Sequence, residues 1–154
     1  MSKAKDNATR VLADNRRARH DYEILETFEA GIVLVGSEVK SLRAGKVQVN
    51  GANVRIVGGQ AFLLGVHIAE YPFSHQFNHD VERQRVLLLH RREIDKIDHR
   101  LREKGLAAPL LRLYFRGSHI KAEFALARGK RDHDKRNAIK EREAVRDIAR
   151  HHRN

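Results

Sequence analysis

The chain has 154 residues, enough for one domain with a real hydrophobic core, and carries 31 Lys/Arg against 20 Asp/Glu, a formal net charge of +11 before its ten His are counted. That balance calls for a polyanionic partner, nucleic acid first, with membrane surfaces and acidic proteins as rivals. The absence of Cys excludes disulfides and thiolate metal sites, and the longest apolar run, Ile32–Val35, is far short of the ~20 residues of a membrane span.

Residues 1–14 are polar and read as a flexible arm; Met1-Ser2-Lys3-Ala4-Lys5-Asp6 leads into no apolar stretch of a secretory signal, so a cytoplasmic protein is expected. The folded domain is expected over 15–127, beginning at Asn15-Arg16-Arg17-Ala18-Arg19-His20. Tyr22, Ile24, Phe28, Ile32 and Leu34 then space out like a long strand, with a bulge at Glu26-Thr27 where the two-residue period slips. Gly36-Ser37 opens a short helix with Ser37 as its cap, Val39 and Leu42 as its apolar stripe and Gly45 as its stop, which leaves Lys40, Arg43 and Lys46 to face solvent. Two apolar segments, 52–57 and 61–66, flank Gly58-Gly59-Gln60, a hairpin signature. Residues 69–85, with Pro72 and two His, have no period and read as a long loop. Val86–Leu89 is a buried strand or the lead-in to a helix that runs from Arg92 to Lys104 with Ile94, Ile97 and Leu101 on one face. A second hairpin pairs 111–115 with 120–126 around Gly117-Ser118. Many short strands and few helices predict a mainly β fold, a small closed antiparallel barrel with peripheral short helices.

The tail, 128–154, holds ten Lys/Arg and five Asp/Glu with almost no large apolar residues. It cannot bury a core of its own and is expected to be disordered when free. Arg142, Arg146 and Arg150 recur at four-residue steps, so a helix would stack like charges at a few tenths of a kcal/mol per pair. A polyanion reverses that sign, because neutralised phosphates release their counterions.

Signs of catalysis are missing from the sequence. It has no Cys nucleophile, no G-x-S-x-G elbow and no Gly-rich phosphate loop, so an enzyme is not expected and no cofactor is implied. The spacing of His75, His79 and Asp80 would put two imidazoles on one face of a helix, but Pro72 and the aperiodic loop oppose a helix there, and no metal site is expected. A basic barrel with a basic tail also fits a stably assembled ribosomal protein. Such a protein stays stoichiometric with ribosomes in high salt, whereas a dissociable factor washes off.

Several segments, in order, carry a resemblance: Asn15-Arg16-Arg17-Ala18-Arg19-His20-Asp21-Tyr22, Phe28-Glu29-Ala30-Gly31-Ile32, 36–46 (GSEVKSLRAGK), 85–94 (RVLLLHRREI), Leu113-Tyr114-Phe115, and 127–136 (ARGKRDHDKR) running on to Ile139-Lys140-Glu141-Arg142. Together they resemble the small protein B (SmpB) family, the protein partner of transfer-messenger RNA in bacterial trans-translation. The resemblance implies an oligonucleotide-binding-type β-barrel that clasps the tRNA-like domain of that RNA. Its implied contacts are Arg17, Arg19, His20, Glu29, Gly31, Glu38, Lys40, Ser41, Arg43, Leu88 and Lys121. Glu29 cannot pair with phosphate, so it is expected to accept from base amino or 2′-hydroxyl groups or to orient a neighbouring Arg. The resemblance further implies that the tail enters the empty decoding centre of a stalled ribosome and becomes helical along the mRNA channel. Gly129 would be the pivot, Lys130 and Arg131 phosphate contacts, His133 a base-stacking group, and Asp134, Lys135 and Arg136 the start of a channel helix continuing through Ile139, Lys140 and Arg142. The implied partners are transfer-messenger RNA, the small-subunit rRNA and, indirectly, the elongation factor that carries aminoacyl-tRNA; no membrane is implied, and the protein is expected to be a monomer. The chain departs from the family pattern at Gly51-Ala52-Asn53, where a Ser-Tyr pair is more usual, at Glu70-Tyr71-Pro72, which reverses the usual Pro-Tyr order, and in the charged stretch 95–100.

Overall fold

The computed structural model describes residues 9–73 and 78–130. Along the chain these form β1 (Thr9–Asp14), α1 (Arg16–Asp21), β2 (Tyr22–Ile32), α2 (Gly36–Arg43), β3 (Val47–Gln48), β4 (Asn53–Val57), β5 (Gln60–Leu64), β6 (His67–Ile68), β7 (Arg85–Leu88), α3 (Arg91–Leu101), β8 (Leu106–Ala107), β9 (Leu110–Arg116) and β10 (His119–Gly129). The expected mainly β fold with short helices is what these residues adopt.

One antiparallel sheet runs in the order β1-β9-β10-β2-β7-β5-β4, with β8 also on β10; β3 and β6 pair separately. Both predicted hairpins form. Gly58 and Gly59 take φ of +57° and +77°, as a two-residue turn of positive φ demands, while in the second turn only Gly117 is positive, at +61°. The bulge in β2 falls one residue earlier than the period suggests: Leu126 pairs with Glu26 and Ala127 with Ile24, leaving Leu25 as the extra residue.

Alternation puts Phe28 and Ala30 of β2, Leu63 of β5, Leu87 of β7, Leu113 of β9 and Phe124 of β10 into one core, with Ile97 of α3 and Leu42 of α2 closing over it. Phe28 and Phe124 are direct partners across the β2–β10 ladder, and their rings stack with centroids 5.4 Å apart. An aromatic pair of this kind adds about 0.5–1.5 kcal/mol beyond the area it buries.

Three expectations are corrected. The sheet does not close into a barrel; it ends at β1 and β4. The N-terminal end of β4 does reach the segment before β9, through Val54 N–H to Ala108 O at 2.7 Å and Leu110 N–H to Ala52 O at 3.0 Å, but the contact stays a single bridge between Asn53 and Pro109. Pro109 has no N–H with which to extend a ladder. Second, residues 9–14 of the supposed flexible arm are β1, registered on β9 from Thr9–Arg116 to Asp14–Arg112, because the outer edge of β9 offers unpaired backbone groups that a polar strand satisfies as well as an apolar one. Third, Arg128 and Gly129 belong to β10 rather than to the tail: their backbones pair with Glu23 and Tyr22 whatever their side chains. The predicted contacts Arg131, His133, Asp134, Lys135, Arg136, Ile139, Lys140 and Arg142 lie outside the described residues, as does His75.

Candidate RNA interface

Four of the family-implied contacts, up to 92 positions apart in sequence, meet at one place. Gly31 of β2 is the register partner of both Lys121 of β10 and Leu88 of β7. Glu29 stands two residues back on the same face, and all four line an open groove of about 530 Å³ that His90 and Glu93 bound on the α3 side. Leu88 is 60 % exposed, a large apolar side chain left in water in a groove lined by both apolar and charged residues. Leu88 lies against Gly31: a Cβ built there would meet the Leu88 side chain at ordinary van der Waals distance, 3.4–3.8 Å.

Glu29 does not project as a free carboxylate. It accepts hydrogen bonds from the Tyr114 hydroxyl and, at 3.0 Å, from Arg116 Nη1. Burial, reinforced by Glu29, pushes the Tyr114 hydroxyl well above its ordinary range, so it stays a donor throughout the working pH range. Of the two roles expected for Glu29, orienting a neighbouring Arg is the one this geometry builds. Tyr114 and Arg116 are missing from the family-implied contacts; their signal in the sequence is the alternation of Arg112, Tyr114 and Arg116 on β9, which puts them on the same face of the sheet as Lys121, with Tyr114 buried there and Arg116 exposed.

On α2 the implied contacts divide by face. Lys40 and Arg43 are exposed as expected, Lys40 above the Tyr71 ring at 5.4 Å from its centroid and Arg43 at 5.5 Å from that of Phe115. Glu38 and Ser41 are buried and cannot touch a partner directly. Glu38 is the hub beneath the helix: its Oε2 accepts from Arg85 Nε at 2.7 Å, and its Oε1 from Val35 N–H at 3.0 Å and from the Arg83 guanidinium. Arg85, itself fully buried, also donates to Val66 O at 2.6 Å and Val81 O at 3.1 Å. Burial alone would raise the Glu38 pKa, but the hydrogen bonds from Arg83, the Val35 N–H and Arg85, with the Arg85 charge, outweigh it and hold the carboxyl below its ordinary 4.5. Glu38 therefore positions Lys40 and Arg43 by pinning their helix to β7.

Ser37 is not the expected cap. It sits inside the helix and its Oγ meets His79 Nδ1 at 2.8 Å, while His79 Nε2 donates to Ile68 O at 2.8 Å. With both ring nitrogens turned into the protein, His79 ties the loop to α2 rather than offering a metal ligand.

The third group lies on α1. Arg17, Arg19 and His20 are exposed, Arg17 3.7 Å from Asp21 and Arg19 3.9 Å from Asp14, spacings at which surface pairs contribute little and remain available to phosphate. Ala18 is the one residue of the helix that is buried, against Leu111 and Ala125 on the outside of the sheet. The tail starts here: Gly129 pairs with Tyr22, Lys130 N–H donates to Asp21 O at 2.9 Å, and Lys130 Nζ reaches Arg19 O at 3.3 Å. The root of the basic tail and the basic helix α1 are thus one surface.

The model of the family described as "SmpB protein" matches residues 12–154. The chain is 57 % identical over 142 residues to the SsrA-binding protein of Roseiflexus castenholzii, covering 92 % of this chain and 90 % of that one. It is 49 % identical over 146 residues to the SsrA-binding protein of Microcystis aeruginosa, covering 94 % and 95 %. Among solved structures it is similar to a chain of "tmRNA-SmpB: a journey to the center of the bacterial ribosome", at a TM-score of 0.66 and 46 % identity, covering 82 % of this chain and 93 % of that one.

Proposed function

The chain belongs to the SmpB family, and on that premise we propose that it binds the tRNA-like domain of transfer-messenger RNA through the groove of Glu29, Gly31, Leu88 and Lys121, with Lys40, Arg43 and α1 as flanking cationic contacts. The single observation that carries this reading is the convergence of those four residues, from three strands, on one open groove. Lys121 and Arg116 supply charge for phosphate, and the Glu29 carboxylate, already bonded to Arg116 and Tyr114, fixes the direction of that charge. Leu88 supplies apolar contact to a sugar or a base.

In this reading the protein acts in the cytoplasm as a monomer. It escorts the RNA, with the elongation factor that carries aminoacyl-tRNA, to ribosomes stalled on mRNA without a stop codon. The tail beyond Lys130 enters the vacant decoding centre and mRNA channel, from which intact mRNA excludes it by steric and electrostatic competition. The anchoring of Lys130 to α1 supports a tail that leaves the domain from a fixed point.

A competition gel shift tests the RNA assignment. Full-length protein is expected to hold labelled transfer-messenger RNA against a tenfold excess of bulk tRNA at physiological salt. Displacement by an equimolar amount of tRNA would mean that the chain binds polyanions without selecting among them.

A further inference from the structure

An exposed aromatic ring lies outside the groove. Phe73 is 77 % exposed, the most exposed large hydrophobic side chain among the described residues. Its ring meets Tyr71 edge to face, centroids 5.4 Å apart, and Tyr71 in turn carries Lys40 over its ring at 5.4 Å. The base of this array is held firmly. Asn78 accepts from Tyr71 N–H at 3.1 Å and donates to Tyr71 O at 2.8 Å, a two-bond clamp across the loop, and His79 next to it is tied to Ser37 of α2. Two aromatic rings and a cation are therefore in successive contact beside the exposed basic face of α2, with Phe73 standing in water.

We propose that Phe73, backed by Tyr71 and Lys40, is a stacking platform for an unpaired nucleobase of the bound RNA. The proposal rests on the RNA-binding reading above and adds a contact that none of the residues assigned there supplies. An exposed aromatic ring next to an Arg- and Lys-bearing helix matches a nucleotide, whose base stacks and whose phosphate meets the cation. A protein partner would have to cover the same ring while desolvating Lys40 and Arg43, neither of which pairs with an acidic residue among the described residues. Any base serves, because every base has a π-face, so the platform contributes affinity rather than sequence preference.

The experiment uses the full chain and transfer-messenger RNA. Because the chain has no Trp, Phe73→Trp installs a single fluorescent ring at the platform. Its emission is expected to be quenched on saturation with the RNA, with affinity retained. Phe73→Ala and Phe73→Leu should each bind at least about fivefold more weakly, the lower end of what one stacked base contributes, with unchanged urea midpoints since the ring packs no core. Wild-type affinity in the Ala variant, wild-type affinity in the Leu variant, or Trp emission that ignores the RNA would each overturn the platform. If the wild-type chain itself fails to bind the RNA, the parent reading falls and takes this one with it; if it binds and only the Phe73 results fail, the groove assignment stands.

Discussion

Arg85→Met should lower the free energy of unfolding by about 3–5 kcal/mol, the cost of removing one partner from a buried ion pair. Domains of this size have about 5–15 kcal/mol in total, so the change removes a large share of the stability. The substitution takes three hydrogen bonds at once, to Glu38, Val66 O and Val81 O, and leaves Glu38 with Arg83 alone as its ionic partner. Urea titration measures it. The double variant Glu38→Leu/Arg85→Met should lose less than Arg85→Met alone, because it strands no fully buried charge: Arg83, which loses its carboxylate, is part-exposed and also donates to Val33 O. The same pair sets an acid limb. Since the folded-state pKa of Glu38 lies below 4.5, its contribution is fully present above that value and is lost as pH falls through the folded pKa. Wild type should therefore lose stability below pH 4.5 more steeply than Glu38→Gln. A loss under about 1 kcal/mol in Arg85→Met, the range of a surface pair, would mean that the network does not hold α2.

On the proposed function, ending the chain at Arg131 should abolish peptide tagging while changing affinity for transfer-messenger RNA by less than tenfold, about 1.4 kcal/mol. The backbone ladders of the sheet are complete at Gly129, and Lys130 makes the last described bond, to Asp21. Every residue of the groove lies on the N-terminal side of that point. Stopping the chain there removes cationic reach toward the ribosome and leaves the RNA-facing surface whole. Filter binding measures the first quantity and a reconstituted tagging assay the second. A larger loss of RNA affinity would place part of the RNA site in the tail.

What the sequence made legible was set locally. The hairpins at Gly58-Gly59 and Gly117-Ser118 follow from turn chemistry confined to two residues, and the face of α3 follows from Ile94, Ile97 and Leu101. What escaped was decided by partners far along the chain. Nothing in Arg16–Asp21 has a helical stripe, because its one buried residue, Ala18, packs on Leu111 and Ala125. β1 has little alternation because it only edges β9. Open versus closed topology turned on Pro109, which no periodicity reveals. For the site, the motif identified Glu38 and Ser41 but not the side they face. The helical period did carry that information: Ser37, Glu38, Ser41 and Leu42 recur at the i, i+4 spacing of one buried face, and Lys40 and Arg43 fall on the other.

The central claim is that RNA is held in the groove between β2, β7 and β10, and the most direct measurement is the affinity of Glu29→Ala/Lys121→Ala for the isolated tRNA-like domain at physiological salt, well below the unfolding midpoint and with circular dichroism showing the fold intact. The groove account predicts binding weaker by at least about tenfold, two contacts each supplying a charge-assisted hydrogen bond or its orientation. Wild-type affinity in the folded double variant would contradict it.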